Sequence, residues 1–459
     1  MKKLLLFYFC LAFTGLVSAQ ESSPVDFTYL KAEISIFPSE GKLSGELAYT
    51  FDVLQPIDSV IIDARNMTFE AVTLNNEEVE FRNDQQHLLL FGNFKESKDN
   101  ILRLKYSAKP SQAMYFIQTE PQGAQKDYQV WTQGQGKYTS NWMPSFDDTN
   151  EKVEFDLSVL YEKGKNVIAN GRLVDTVAVS ENLVRWDFDM EHPVSSYLLA
   201  IAAGDYKVKE ITSESGVPMQ LYYPEGAENL VEPTYRHSAE IMDFLENEIG
   251  VPYPWQDYKQ VPVRDFLYSG MENAGLTIFS DMFLVDSIGY NDRNYIMVNS
   301  HELAHQWFGD MVTATSGEHH WLQEGFATYY SLLAEKEIFG EDYFYWKLFQ
   351  SADQLKSVSD SGKGESLLGS KGSSLTYYQK GAWALQILKG IVGKKAFDAG
   401  VKNYLLKHAF KNVSTTDFMK EVEAVSGKDL SEFKKDWLEQ SAFQGTEALE
   451  ALKKSAFIR

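Results

Sequence analysis

The hydrophobic pattern of this chain changes period once, and that change constrains the fold more than any other feature. Over residues 27–207 apolar residues come in short alternating runs separated by turn residues, as in Leu43-Ser-Gly-Glu-Leu-Ala-Tyr-Thr-Phe51, Ser59-Val-Ile-Ile-Asp63 and Val153-Glu-Phe-Asp-Leu-Ser-Val-Leu160. A period of two turns one face of each run inward, so these predict strands of an antiparallel sheet domain. From Glu232 onward the period is helical, predicting helices over 232–248, 294–308, 322–339, 343–356, 377–392, 396–410, 416–425 and 430–440. The change falls within 205–223, which divides an α+β, multidomain chain into a β domain over 20–207, a mainly α-helical domain over 208–445 and a short tail over 446–459. No internal repeat is present, and 357–374, rich in Ser and Gly, reads as a surface loop.

The chain has 459 residues, enough for two or three domains and a large core. It opens Met-Lys-Lys, continues with an apolar run from Leu4 to Val17 and reaches Val17-Ser-Ala19. A basic start, a short apolar run and a small-residue cleavage site predict a secretory signal peptide over 1–19, cut after Ala19, and hence export to the periplasm or the medium. The run is short against a span of about 20 residues and no second one exists, so no integral membrane segment is expected after cleavage. The single cysteine, Cys10, lies inside the signal, which leaves the exported chain without disulfides and dependent on core burial. Net charge is −22, and more negative still without Lys2 and Lys3. Nucleic acid and anionic membranes reward clustered Lys and Arg, so neither is expected as a partner. The acidity gives solubility, and an acidic cleft would favour substrates with a cationic end.

His301-Glu-Leu-Ala-His305 carries the chemistry. Two histidines four residues apart lie on one face of a helix and can reach one metal ion. Asn291 and Asp292 suit a helix start upstream, and Gly309 a stop downstream. The next helical segment begins Trp321-Leu-Gln-Glu324, and Glu324 is its first acid placed to return to the metal as third ligand. A catalytic zinc takes three protein ligands and keeps a fourth position for water, so one zinc per chain is expected on His301, His305 and Glu324. Glu302, beside a ligand without being one, is the candidate general base. Alone, the pentapeptide is also compatible with ordinary core histidines; the third acid distinguishes it. Upstream, Tyr268-Ser-Gly-Met-Glu272-Asn-Ala-Gly275 follows a predicted strand over 260–266 and is glycine-rich, as backbone approaching a ligand is. Trp307 and Phe308 read as packing beside the metal helix, and His319 and His320 as supporting or surface residues.

Taken in order, Gly270-Met-Glu-Asn273, His301-Glu-x-x-His305, Glu324 after an eighteen-residue gap and Tyr378-Gln-Lys-Gly381 resemble the zinc aminopeptidases of the aminopeptidase N family, peptidase family M1, to which leukotriene hydrolase is related. The resemblance runs from about Thr132 to Trp437. It implies a saddle-like N-terminal β domain, a thermolysin-like zinc metallopeptidase (gluzincin) domain, and hydrolysis of the N-terminal bond of peptides with a free amine. It further implies that Gly270, Met271, Glu272 and Asn273 form a substrate-binding turn, with Glu272 on the α-amine and Met271 flooring the first side-chain pocket. Tyr378 then steadies the oxyanion, and Thr132-Gln-Gly-Gln135 resembles the β-domain segment that enters the cleft, with Gln135 as a second amine-binding residue. Departures are Gln135 where the peptidases carry Glu, a feature shared with the leukotriene hydrolase branch, together with Ser269, Asp310, Gln323, and His319 and His320. Ser331 stands where an acid commonly supports the ligand histidines. Two other readings stay open: an epoxide hydrolase with aminopeptidase side activity, and a non-catalytic peptide-binding relative. Related enzymes commonly continue into a further helical domain, whereas this chain stops at Arg459; a more open cleft, with no cation from such a domain on the substrate's far carboxylate, is expected.

Overall fold

The computed structural model describes residues 23–119 and 127–453; the signal peptide expected over 1–19 lies outside them. Along the central strands of the first half the period-two reading holds residue by residue. Strand Lys42–Val53 turns Leu43, Leu47, Tyr49, Phe51 and Val53 inward. It sits near the middle of a sheet ordered Arg172–Ala178, Leu183–Asp189, Lys152–Glu162, Val25–Phe37, Lys42–Val53, Ser97–Ala108, Met67–Leu74 and Glu77–Glu78. One pairing departs from the antiparallel expectation: Val25–Phe37 runs parallel to Lys152–Glu162, in register from Tyr29 opposite Glu154 to Ser35 opposite Leu160. Parallel neighbours need a long connection, and here most of the domain lies between the two strands. A three-stranded sheet (Ile57–Asp63, His87–Phe94, Glu80–Asn83) and a four-stranded one (Asn166–Ala169, Ile201–Gly204, Asp127–Thr132, Met114–Thr119) complete this half. The last sheet meets the second half through Trp131, which is fully buried, stacks on Tyr115 at 4.2 Å, meets Phe266 edge-on at 5.2 Å and donates its indole N–H to the Arg264 carbonyl at 3.0 Å.

The second half begins with strands, ordered Tyr206–Thr212, Pro218–Pro224, Tyr258–Val263, Leu276–Ser280 and Gly270–Met271. Its helices are α1 (Glu228–Tyr235), α2 (Ser238–Ile249), α3 (Ile296–His305), α4 (Trp321–Phe339), α5 (Glu341–Asp360), α6 (Gly381–Val392), α7 (Lys394–Lys407), α8 (Thr415–Ser426), α9 (Ser431–Phe433) and α10 (Gly445–Lys453). The single helix expected over 232–248 is two, because the backbone leaves the helical region at His237 (φ −103°, ψ 6°) while the apolar spacing on either side stays in phase. The loop expected over 357–374 starts later, since α5 runs to Asp360. The tail expected from 446 carries α10, which packs against α5 and buries Ala448 and Leu452.

α4 is buried on every side from Trp321 to Glu335, the mark of a central helix. It touches α3 on one side and α6 on another. The α4–α6 crossing depends on two glycines: a Cβ added at Gly325 would lie 2.9 Å from the Cα of Gly381, and one at Gly381 would lie 2.8 Å from the Cα of Gly325. Immediately before this crossing the expected helix over 377–392 opens as a π-helical turn, Leu375–Lys380. Such turns are concentrated at functional sites.

Candidate metal centre and the cleft around it

α3 carries His301 and His305 one turn apart, and α4 brings Glu324 to them from its first turn. The two Nε2 atoms are 3.1 Å apart, and Glu324 Oε2 lies 3.4 Å from His301 and 3.3 Å from His305. The three donor atoms thus converge on one point. Glu324 Oε2 is buried and has no hydrogen-bond partner, which an interior carboxylate oxygen seldom tolerates unless a cation completes it. His305 Nδ1 stands 2.9 Å from the Phe308 carbonyl; donating there holds its proton on Nδ1 and leaves Nε2 free to ligate. Two imidazoles and a carboxylate are a donor set that fits zinc.

His320, one turn before Glu324, places Nε2 3.3 Å from the other carboxylate oxygen, Oε1, so both oxygens of Glu324 face imidazoles. The sequence reads His320 as a supporting or surface residue, and its contact with Glu324 makes it a supporting one; the spacing of four between them is the signal. Burial alone would raise the Glu324 carboxyl, but the imidazoles of His305, His301 and His320 facing it hold it well below the usual carboxylate range. Burial pushes Glu302 well above that range, helped by the charges of Glu272 and Glu324 and opposed by His305. Glu272 is also pushed up by burial.

Gly270 and Met271 pair with Phe279 and Ile278, and the turn they close presents Glu272 and Asn273. The glycine is required by the base: a Cβ at Gly270 would fall 2.4 Å from Glu302 Oε1. Gln306 ties this turn to α3, its amide donating to the Glu272 and Glu302 carbonyls, each at 3.3 Å, and its Oε1 accepting from Gly275 N at 2.8 Å. Gln306 was not singled out in the sequence, where it reads as an unremarked neighbour of His305. From the β half, Gln135 donates to Glu272 Oε1 at 3.5 Å, so the two amine-site candidates do face each other. Tyr378, carried by the π turn, stacks on the His301 ring at 5.3 Å and 9°, and burial together with the three glutamates pushes its hydroxyl far above its ordinary pKa.

A cavity of about 550 Å³ opens on this centre and is bounded by Gln135, Gly270, Glu272, His301, Glu302 and Tyr378 among others. Met271 and Asn273 are not on its wall. Met271 is buried with its thioether 3.6 Å from the Gln133 amide, and both amide atoms of Asn273 are buried without a partner. Gln323 joins the halves, donating to Tyr197 Oη at 2.9 Å and accepting from Ala314 N at 3.1 Å. Ser331 bonds Ser300 at 2.8 Å and the Met297 carbonyl at 3.2 Å rather than either ligand histidine.

Paired histidines on one helix, a glutamate between them and a third ligand from the following helix define a metallopeptidase site. The chain belongs to peptidase family M1. Residues 28–198 match the peptidase M1 N-terminal domain and residues 234–437 the peptidase family M1 domain. It is 27% identical over 405 residues to a protein named probable aminopeptidase 1 of Sulfurisphaera tokodaii, covering 84% of this chain and 50% of that one. It is likewise 27% identical over 400 residues to leucyl aminopeptidase of Saccharolobus solfataricus, with the same shares of 84% and 50%. The chain therefore spans about half the length of these relatives. The crystal structure of an M1 zinc metallopeptidase from Deinococcus radiodurans has the same fold, with a TM-score of 0.77 at 22% identity over 92% of this chain and 94% of that one.

Proposed function

We propose that this protein is a zinc aminopeptidase that removes the first residue from peptides with a free N-terminus, using one zinc per chain held by His301, His305 and Glu324. The observation that carries the reading is a buried carboxylate, Glu272, in the same cavity as the metal donors and the base. An ammonium group is what such a carboxylate lacks, and one seated there leaves room for a single residue before the metal. Gln135 would hold the other side of Glu272 as a neutral donor. Zinc, when bound, supplies Lewis acidity toward the scissile carbonyl and lowers the pKa of its water to about 7. Glu302 accepts the proton of the attacking water on its carboxylate and returns it to the departing nitrogen. The Tyr378 hydroxyl donates to the carbonyl oxygen as that oxygen gains charge. The leader read over 1–19 puts this work outside the cytoplasm.

The cavity wall carries Glu272, Glu302, Glu335 and Lys347. That polarity suits a peptide better than the long apolar tail of a lipid epoxide. Retention of all three ligands, the base and the tyrosine around one cavity counts against a non-catalytic role. The test is turnover of unblocked against N-acetylated aminoacyl substrates, with and without chelator. Hydrolysis of the unblocked substrates alone, abolished by chelator and restored by zinc, is expected, and Glu272→Ala should remove most of the preference. Equal turnover of acetylated substrates would sink the exopeptidase reading.

A further inference from the structure

In the wall of the cavity one lysine stands against several carboxylates, and it takes no part in the reaction itself. Lys347, from α5, is the one lysine or arginine among the described residues that line the cavity. Its side chain is about one-third exposed, at 34%, and faces Glu335 of α4 with Nζ 3.8 Å from Oε1. That is an ion pair without a hydrogen bond. Glu335 is satisfied by another route, because the Tyr343 hydroxyl donates to its Oε1 at 2.7 Å. Lys347 itself makes no hydrogen bond to the described residues and only lies over the Tyr343 ring, 5.3 Å from its centre. Its ammonium can therefore take an anion without breaking a bond, while Glu335 keeps its partner.

Position along the cleft says which anion. Glu324, Thr328, Leu332 and Glu335 fall along one side of α4, and the last three line the cavity as it leaves the metal donors. Eleven residues of helix from Glu324 to Glu335 rise about 16 Å. An extended peptide covers that in roughly five residues beyond the bond that is cut, and in fewer when the flexible lysine reaches inward. Glu272 lies beside the metal donors, its carboxylate within 4.8 Å of donor atoms of Glu302 and His305. An acceptor for the ammonium beside the metal donors and a donor for a carboxylate farther along α4 make a cleft that reads both termini of one short chain. Resting on the aminopeptidase reading for the position of the cut bond, we infer that Lys347 receives the terminal carboxylate of the substrate, so that the preferred substrates are free peptides of about three to six residues.

Binding decides this without turnover. In the zinc-loaded Glu302→Gln protein, the dissociation constants of a pentapeptide as free acid and as C-terminal amide are measured by calorimetry, alongside a decapeptide in both forms. The pentapeptide acid should bind about tenfold more tightly than its amide, a factor worth 1.4 kcal/mol. The decapeptide should show a ratio near one. Adding Lys347→Met should bring the pentapeptide ratio to about one, whereas Lys347→Arg should retain it. Equal affinity for acid and amide in the lysine-containing protein, or a ratio that survives Lys347→Met, overturns the assignment; because the first comparison needs no change at Lys347, a misfolded variant does not shield it. A decapeptide ratio as large as the pentapeptide's overturns the length limit. Wild-type turnover of an aminoacyl 4-nitroanilide, too short to reach Lys347, reports separately on the aminopeptidase reading. No hydrolysis there refutes that reading while the acid-to-amide ratio still tests Lys347.

Discussion

The two halves of this molecule bury polar groups in opposite ways. In the β half, Ser145 Oγ apart, interior hydroxyls and carboxylates find partners close by: Tyr49 donates to the Pro144 carbonyl at 2.7 Å, Tyr106 to that of Trp142 at 2.9 Å, and Asp147 accepts from Ser140 at 2.6 Å and Arg65 at 3.3 Å. In the helical half Glu272 and Glu302 line one cavity, Glu324 is buried against the histidines that also line it, and an oxygen of Glu324 has no donor. Paired polar groups hold a fold in a single arrangement, whereas unpaired charge in a cavity is set against something that is to enter it. The contrast teaches where a substitution should register: as stability in the first half and as chemistry in the second.

The largest effect should come from Glu302→Gln. Losing the proton acceptor should lower the rate by about 10²–10⁴ while zinc stays bound, and the thermal midpoint should not fall, because a buried charge has gone. Metal analysis and calorimetry beside kinetics check this. A destabilised but active variant would erase the contrast at its strongest point. Tyr378→Phe should follow, with about 10²–10³ lost from turnover and little from binding, since its hydroxyl acts where charge develops. Tyr377, whose hydroxyl instead faces the Gly372 N–H at 2.8 Å, is the control. Across the boundary, Leu102→Ala should do the reverse. Leu102 is fully buried in strand Ser97–Ala108, so its truncation should cost about 2–5 kcal/mol in denaturant unfolding and leave turnover per folded molecule unchanged.

The same contrast explains how far the sequence could be read. Period is local, so the alternation in Lys42–Val53 and the one-turn spacing of His301 and His305 were legible. Glu324 was legible because the acid and the histidines lie on consecutive predicted helices. Relations across the chain were not. The parallel pairing of Val25–Phe37 with Lys152–Glu162 leaves no mark in either strand, both of which alternate as antiparallel neighbours do. Nor does the π turn that carries Tyr378, since its spacing of apolar residues passes for α-helix. Gln306 holds the Glu272 turn to α3 through two hydrogen bonds to groups far off in sequence, the Glu272 carbonyl and the Gly275 N–H, and no residue type announces that role. Met271 shows the converse: a motif suggested the pocket floor, and the side chain packs behind the wall.

The smallest effect is expected where the halves meet, at two adjacent residues that belong to neither pattern cleanly. Glu151 accepts the Phe27 N–H at 2.7 Å, and burial pushes its carboxyl up to about 7, against an ordinary 4.5. Lys152 reaches across to the loop after α3, donating to the Asp310 carbonyl at 2.7 Å and that of Met311 at 3.3 Å, and burial pushes its ammonium down to about 7, against 10.5. Between about 4.5 and 7 the folded chain holds a proton on Glu151 that the unfolded chain has released, so stability falls as pH rises through that window. Between about 7 and 10.5 the unfolded chain holds a proton on Lys152 that the folded chain has released, so stability rises again. Together the two contribute a minimum near pH 7. Thermal midpoints followed from pH 5 to 10 should show Glu151→Gln flattening the acid side of the curve and Lys152→Met the alkaline side. The slope is the readout, because Lys152→Met also strips a donor from two carbonyls and lowers the whole curve. Curves that run parallel to wild type across both windows would show that these groups titrate alike in the folded and unfolded chains, and would set the junction with the matched hydroxyls and carboxylates of the β half.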